Sequence, residues 1–251
     1  MRRAAILVAC LIWSGTAGAE PRSGLEFQSA ETRALQADDF ANPGMLWVER
    51  GQVLWQTPEG RAGKACASCH GDASATMKGV SARYPAFDKR SARVVDVEER
   101  INICRIEQLD AAPLPRESDP LLALAALVGH QSRGTATRAV TDGPSAASFA
   151  KGKVLFEQRM GQMNLSCKNC HEDNWGKSLR GDTISQGHPT GYPLYRLEWQ
   201  KLGSLQRRLR FCMTGVRAEP FAYGAQELID LALYLASRAE GLAVETPAVR
   251  R

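Results

Sequence analysis

Two Cys-x-x-Cys-His pentapeptides, Cys66-Ala67-Ser68-Cys69-His70 and Cys167-Lys168-Asn169-Cys170-His171, are the residues of this chain best suited to chemistry. In each, two cysteines three apart on a helical turn reach the two vinyl groups of one porphyrin, and the next residue supplies a proximal imidazole. This is the attachment pattern of covalent c-type haem. Zinc would need more paired ligands, and a thioredoxin-like dithiol does not require the histidine. The expectation is therefore two covalently bound haem c groups, attached through Cys66, Cys69, Cys167 and Cys170, with His70 and His171 on iron.

The elements that must position these motifs occur twice. At an offset of 101 residues, Arg50-Gly51-Gln52-Val53-Leu54-Trp55 lies over Lys151-Gly152-Lys153-Val154-Leu155-Phe156, and the same shift superposes the haem motifs. At an offset of 108, Tyr84-Pro85 lies over Tyr192-Pro193, Arg100 over Arg208 and Cys104 over Cys212. The second half thus holds seven extra residues between the blocks. Each late cysteine is followed by a Pro-containing loop, at Pro113 or Pro220, and then a helix with an apolar stripe: Leu121, Leu124, Ala125 and Val128, or Leu228, Leu231, Ala232 and Leu235. Glu117-Ser118-Asp119-Pro120 supplies a cap and a first-turn proline for the former. The order helix, haem motif, loop, helix with Cys, loop, helix predicts an all-α chain of two tandem cytochrome c-like haem domains related by internal duplication, at 20–135 and 136–251, with the polar stretch Gln131–Pro144 as the joint.

Seven cysteines are present. With Cys10 in the N-terminal segment and four in the motifs, Cys104 and Cys212 remain, at equivalent points of the repeat. A cytochrome c domain draws its sixth iron ligand from a residue some tens of positions after the haem motif, commonly Met. Here Cys stands there, predicting His/Cys ligation of both irons with the sulfur as thiolate. Two rivals stay open: a Cys104–Cys212 disulfide, and Met213 as ligand, although Arg105 holds that place in the first half. Met77, Met160 and Met163 sit too near the motifs to cross to the far face. His130 reads as a helix-end residue and His188 as a loop residue.

The halves diverge in charge around the late cysteine. Glu98-Glu99-Arg100-Ile101-Asn102-Ile103-Cys104 faces Arg207-Arg208-Leu209-Arg210-Phe211-Cys212, with Arg217 beyond. Arg208 and Cys212, four apart, share a helix face, so a guanidinium can stand beside the sulfur and hold an oxyanion against it. At an effective dielectric near 20, a cation about 4 Å from an anion is worth roughly 4 kcal/mol before desolvation. The bland alternative is a solvated basic face.

Residues 1–19 read as a secretory signal: Arg2 and Arg3, the apolar run Ala4–Trp13, and Ala17-Gly18-Ala19 as cleavage site, predicting periplasmic export with cleavage after Ala19. The run is too short to span a membrane, and no later stretch approaches 18 continuous apolar residues. Leu7-Val8-Ala9-Cys10 only faintly resembles a lipoprotein box. Loss of Arg2 and Arg3 reduces the formal charge from +5 to +3, which argues against a nucleic-acid partner.

Assembled, these residues resemble the SoxA family, the dihaem subunits of the SoxAX cytochromes of bacterial thiosulfate oxidation. The likeness covers nearly the whole mature chain. It rests on the two haem motifs, the late cysteine in each half, and Leu205-Gln206-Arg207-Arg208-Leu209-Arg210-Phe211-Cys212 leading to Val216-Arg217-Ala218-Glu219-Pro220-Phe221. The resemblance implies an L-cysteine S-thiosulfotransferase that joins thiosulfate to a cysteine of a SoxYZ-like carrier and passes two electrons to a SoxX-like monohaem partner. It further implies that Cys212 is catalytic, appearing as a persulfide while also ligating the second haem, that Arg208 binds the substrate anion, and that His70 and Cys104 ligate the first haem. An electron-transfer cytochrome without chemistry of its own and a dihaem peroxidase are the alternatives. Residues Gly181 to Pro193, in or near the insertion, are expected to line the channel that admits the carrier.

Overall fold

The computed structural model describes residues 20–251; the expected signal segment, its cleavage point and Cys10 lie outside them. The first half carries α1 (Ala30–Ala37), α2 (Met45–Gln56), α3 (Cys66–His70), α4 (Ala73–Thr76), β1 (Ala86–Asp88), β2 (Arg93–Val95), α5 (Val97–Leu109) and α6 (Asp119–His130). The second carries α7 (Ala146–Glu157), α8 (Cys167–His171), β3 (Ser178–Leu179), β4 (Asp182–Thr183), β5 (Leu194–Arg196), β6 (Lys201–Gly203), α9 (Leu205–Gly215), α10 (Gln226–Arg238) and β7 (Val249–Arg250). Among the described residues no helix is long and apolar enough to cross a membrane.

Local chemistry starts the principal helices. Asp96 caps α5 by accepting the Glu99 amide at 2.8 Å, and Ser204 caps α9 by accepting the Arg207 amide at 3.1 Å. Pro120 stands in the first turn of α6, where its fixed φ suits the helix and no backbone donor is lost. Helices α6 and α10 are wider in their burial than the single stripes expected from sequence: Leu121–Gly129 and Leu228–Ala236 are buried throughout.

These two helices are covered by α2 and α7, and both crossings occur at a glycine. A Cβ on Gly51 would sit 2.9 Å from the Leu127 Cβ and from the Ala123 carbonyl carbon; one on Gly152 would sit 2.7 Å from the Asp230 carbonyl carbon. Hydrogen alone fits between such backbones. Val48, Trp55, Leu122 and Leu127 fill the core beneath the first crossing, and Phe156, Leu228, Leu231 and Tyr234 the core beneath the second.

The all-α expectation is incomplete. Antiparallel hairpins β1–β2 and β5–β6 precede the two cysteine helices, with Ala92 and Gln200 at φ of 52° and 51° in the equivalent turns. A third short hairpin joins β3 to β4, and β7 pairs parallel to β5. Strands of two or three residues are too short to show the alternation by which a strand is read from sequence. The C-terminal tail reaches β5 only by long-range packing: Tyr195 donates its amide to Ala248 O at 2.8 Å, and Asn42 Nδ2 donates to Pro247 O at 2.9 Å. Residues after 243 thus touch both halves.

A second tie crosses the halves at Arg116, which holds Asp96 at 2.7 Å, Glu98 at 3.0 Å and Glu99 at 2.8 Å, while Gln206 Nε2 donates to Asp96 at 2.8 Å. One guanidinium cannot neutralise so many carboxylates. Burial first, and the Asp96 charge next, push the Glu98 carboxyl up to about 8 against the pull of Arg116.

Two outcomes follow from this packing. Gly152→Val, measured by denaturant unfolding of the holoprotein, should cost at least about 2–3 kcal/mol by overpacking; unchanged stability would mean that the crossing is loose. A carboxyl raised from 4.5 to about 8 keeps its proton in the folded state where the unfolded chain has lost it, so its contribution is complete below 4.5 and declines as pH rises towards 8. Unfolding at pH 5 and pH 8 should therefore show Glu98→Gln gaining stability relative to the parent at the higher pH, and a constant difference would refute the shift.

Candidate active site

Each haem motif forms one turn of helix hung on a capped loop. In α8, the Ser166 amide donates to Asn169 Oδ1 at 3.1 Å and the Asn169 amide donates to Ser166 Oγ at 3.3 Å, a reciprocal box that fixes where the turn begins. In α3, the Ala65 amide donates to Ser68 Oγ at 3.0 Å. The loops ahead of the motifs are tied in the same way to the ends of the cysteine helices. Arg61 and Ala62 donate their amides to Asp110 O and Leu109 O, both at 3.2 Å, and Gln162 and Met163 donate theirs to Arg217 O and Val216 O, both at 3.3 Å. The attachment turn and the late cysteine of each half are thereby held in one frame.

Within that frame each late cysteine faces its own motif. Burial pushes the Cys66 thiol up, and Cys104 adds to the rise while Arg105 opposes it. Burial pushes Cys167 up to about 11 and raises Cys170, and in both cases the nearby Cys212 sulfur contributes further. No disulfide joins any of the six described cysteines, so Cys104 and Cys212 are not paired with each other.

Helix rotation separates Cys212 from its neighbour. Met213 is 4 % exposed and packs with Phe156, Leu209, Leu228 and Leu235 in the second core, whereas Cys212 lies half-buried on another side of α9. Met77 and Met160 also pack against the two cores, and Met163 is exposed. His130 ends α6, as expected, and His188 lies in a loop, its Nε2 3.0 Å from Gln186 Oε1.

The residues present fit a covalently held haem. His171 Nδ1 donates to the Ser185 carbonyl at 2.7 Å, which leaves Nε2 for a metal and fixes the ring. Gly187, at φ 77°, lies against that ring so closely that a Cβ would come within 2.9 Å of His171 Cγ. Burial lowers the His171 pKa and favours the neutral, ligating imidazole. In the first half, His70 is exposed and its ring centroid is 5.6 Å from that of Trp55, whose Nε1 donates to Gly71 O at 2.9 Å. Among the described residues no group of three or more His, Cys, Asp or Glu side chains is arranged to hold a bare metal ion. Two thioether-forming thiols and an imidazole suit a porphyrin iron and not a protein-only zinc site.

Arg208 lies one turn before Cys212 on α9, with its guanidinium 5.3 Å from the Phe211 ring centroid. Burial works against its charge, but Cys212, then Tyr192, Glu198 and Asp182, outweigh that and hold it protonated. Nothing among the described residues pairs with it as a salt bridge. A soft sulfur beside a free guanidinium can take an anion that carries both sulfur and oxygen.

The insertion does not line this face along its whole length. Ser185 and Gly187 stand behind His171, whereas Asp182, near its start, comes within electrostatic range of Arg208 and Tyr192, near its end, within range of both Arg208 and Cys212. Sequence reasoning also passed over Asp88 and Arg196, which the 108-residue offset aligns; that offset was the signal by which they could have been found.

The SoxA/TsdA cytochrome c domain family matches residues 50–137 and 151–244, and a cytochrome c domain carries covalently bound haem c. A curated relative from Pseudaminobacter salicylatoxidans, the L-cysteine S-thiosulfotransferase subunit SoxA, is 45% identical over 233 residues, covering 92% of this chain and 82% of its own. The subunit of the same name from Rhodovulum sulfidophilum is 41% identical over 231 residues, covering 92% and 80%. The crystal structure of SoxXA from P. pantotrophus contains a chain that matches with a TM-score of 0.89 at 38% identity, over 92% of this chain and 87% of that one.

If Cys212 and not Met213 faces the iron, Met213→Leu should cost less than about 1.5 kcal/mol and leave the low-spin paramagnetic resonance of the second centre unchanged. An altered signal would make Met213 a ligand.

Proposed function

Because this chain belongs to the SoxA/TsdA cytochrome c domain family, we propose that it is the dihaem subunit of a thiosulfate-oxidising L-cysteine S-thiosulfotransferase, with its active site in the second half. The observation that carries the assignment is the shared face of α9: Arg208 and Cys212 stand together beside α8, with Met213 turned into the core.

In this reading, units 20–135 and 136–251 each hold one haem c, attached through Cys66 and Cys69 or Cys167 and Cys170. His70 and Cys104 ligate the first iron, and His171 and Cys212 the second. When bound, the haem groups supply one-electron acceptors. Arg208 binds the oxyanion end of thiosulfate and orients the sulfane sulfur towards Cys212. Forming one S–S bond between that sulfur and a thiol releases two electrons and the thiol proton, so sulfur capture must occur where electrons can leave. Cys212 captures the sulfur, its sulfonate still attached, as a cysteine-bound S–SO3 intermediate, and a carrier thiolate attacks that sulfur, takes over the whole S–SO3 group and releases the Cys212 thiolate.

A SoxX-like monohaem cytochrome is the proposed electron-accepting partner, supported by the two-subunit SoxXA assembly named for the structural relative. A SoxYZ-like protein is the proposed carrier and the periplasm the proposed compartment.

Cys212→Ala, purified with both haems attached, should lose at least about 100-fold in thiosulfate conjugation, and intact mass spectrometry of the parent protein should reveal a reductant-sensitive addition of about 32 Da on Cys212, the sulfane sulfur that remains when captured thiosulfate loses its sulfonate to water as sulfate. Should Cys212→Met retain turnover while only its reduction potential changes, the chain would be an electron carrier and this reading would fall.

A further inference from the structure

The 108-residue offset that aligns Arg100 with Arg208 and Cys104 with Cys212 also aligns Asp88 with Arg196. The structural equivalence is complete at this point. Asp88 ends β1 opposite Arg93 and Arg196 ends β5 opposite Lys201, in hairpins of the same register that lead through a capping residue into α5 and α9.

The consequences for charge are opposite. In the first half, Arg100 Nη1 lies 3.1 Å from Asp88 Oδ1, so the guanidinium preceding Cys104 is neutralised within the chain. In the second half, the residue occupying the Asp88 position is itself a cation, and Arg208 has no carboxylate within ion-pair distance among the described residues. Arg196 is 6 % exposed. Among the described residues its single ion pair is to Glu198, at 3.0 Å, whose side chain is 52% exposed, and its Nε is buried with no hydrogen-bond partner. The Trp199 ring, 5.2 Å from the Arg196 guanidinium, covers another side.

Burying a guanidinium with an unsatisfied donor near a second guanidinium that has no ion pair is costly, and an anion between them offsets that cost. Burial, followed by the repulsion of Arg208, lowers the Arg196 pKa, in accord with two like charges within electrostatic range. The Tyr192 hydroxyl lies within range of both arginines and of Cys212. Glu198 answers part of the Arg196 charge from the solvent side, but two guanidiniums still attract a dianion more strongly than a monoanion.

We infer that Arg196 is the second cation of the anion site at Cys212, and that with Arg208 it holds the sulfonate end of a sulfur oxyanion dianion such as thiosulfate. The Asp88-to-Arg196 exchange then distinguishes the two halves: an internal ion pair closes the first to anions, and the paired arginines open the second. This rests on the thiosulfotransferase reading for the identity of the substrate, but the anion site can be tested without turnover.

The experiment is calorimetric titration of the oxidised holoprotein with thiosulfate, alongside measurement of KM and kcat. Arg196→Gln should weaken thiosulfate binding by about tenfold or more and raise KM more than it lowers kcat, while Arg196→Lys should stay within about threefold of the parent. Undiminished binding by Arg196→Gln would overturn the inference, whatever happens to turnover. If that variant does not accumulate with both haems, the parent protein still decides. A two-cation site should bind sulfate at least about tenfold more tightly than nitrate, and equal affinities would overturn it. Binding that depends on Arg196 in a chain that forms no conjugate would support the dianion site and reject the functional reading. No thiosulfate binding by the parent would reject both.

Discussion

The close crossing of two helices at a glycine, made once in each half, is the constraint on which the remaining structure depends. At Gly51 and Gly152 the backbone of α2 or α7 approaches α6 or α10 more closely than any side chain would permit. Burial of leucines along α6 and α10, each worth roughly 1.5–3 kcal/mol, drives the helices together, and the missing Cβ decides how near they come. The haem turn starts ten residues after the end of the preceding helix in both halves, from Gln56 to Cys66 and from Glu157 to Cys167. Fixing the crossing therefore fixes the attachment turn. Backbone hydrogen bonds from the intervening loop then lock the C-terminal end of α5 or α9 to it, which places Cys104 and Cys212 opposite their own motifs.

One scaffold thus presents two sulfur-bearing centres, and electrostatics separates their chemistry. Around Cys104 the acidic contribution is large: Asp88 pairs with Arg100, and Asp96, Glu98 and Glu99 surround Arg116 nearby. Around Cys212 the balance is reversed, with Arg208 held cationic in part by the sulfur itself. Duplication preserves the packing because caps, glycines and apolar positions recur. Charge is free to diverge because it occupies hairpin ends and helix faces outside the two apolar cores.

The halves are not simply joined by a linker. Gln206 reaches from α9 to the Asp96 cap of α5, and the chain after residue 243 runs back to pair with β5 and to pack on α6, where Thr246 Cγ2 would be 2.6 Å from a Cβ on Gly129. The cysteine helix of the second half is consequently anchored by residues of the first. Movement of the segment that carries Cys212 is constrained by contacts in both.

Much of the candidate site was legible because its chemistry is local. Two thiols and an imidazole within five residues define a haem turn whatever surrounds them, and Arg208 and Cys212 share a face because four residues make about one helical turn. The repeat likewise placed Cys104 and Cys212 in equivalent positions. What sequence could not decide was rotation and closure. Cys212 and Met213 are adjacent, and only the packing of α9 on Phe156, Leu228 and Leu235 turns the methionine inward. Ser185 and Gly187 stand behind His171, and β7 meets β5, through contacts between residues far apart in the chain, in strands too short to announce themselves. Motif spacing determined which atoms are available for chemistry; tertiary packing decided which of them face one another, because that depends on the burial of surfaces no short segment contains.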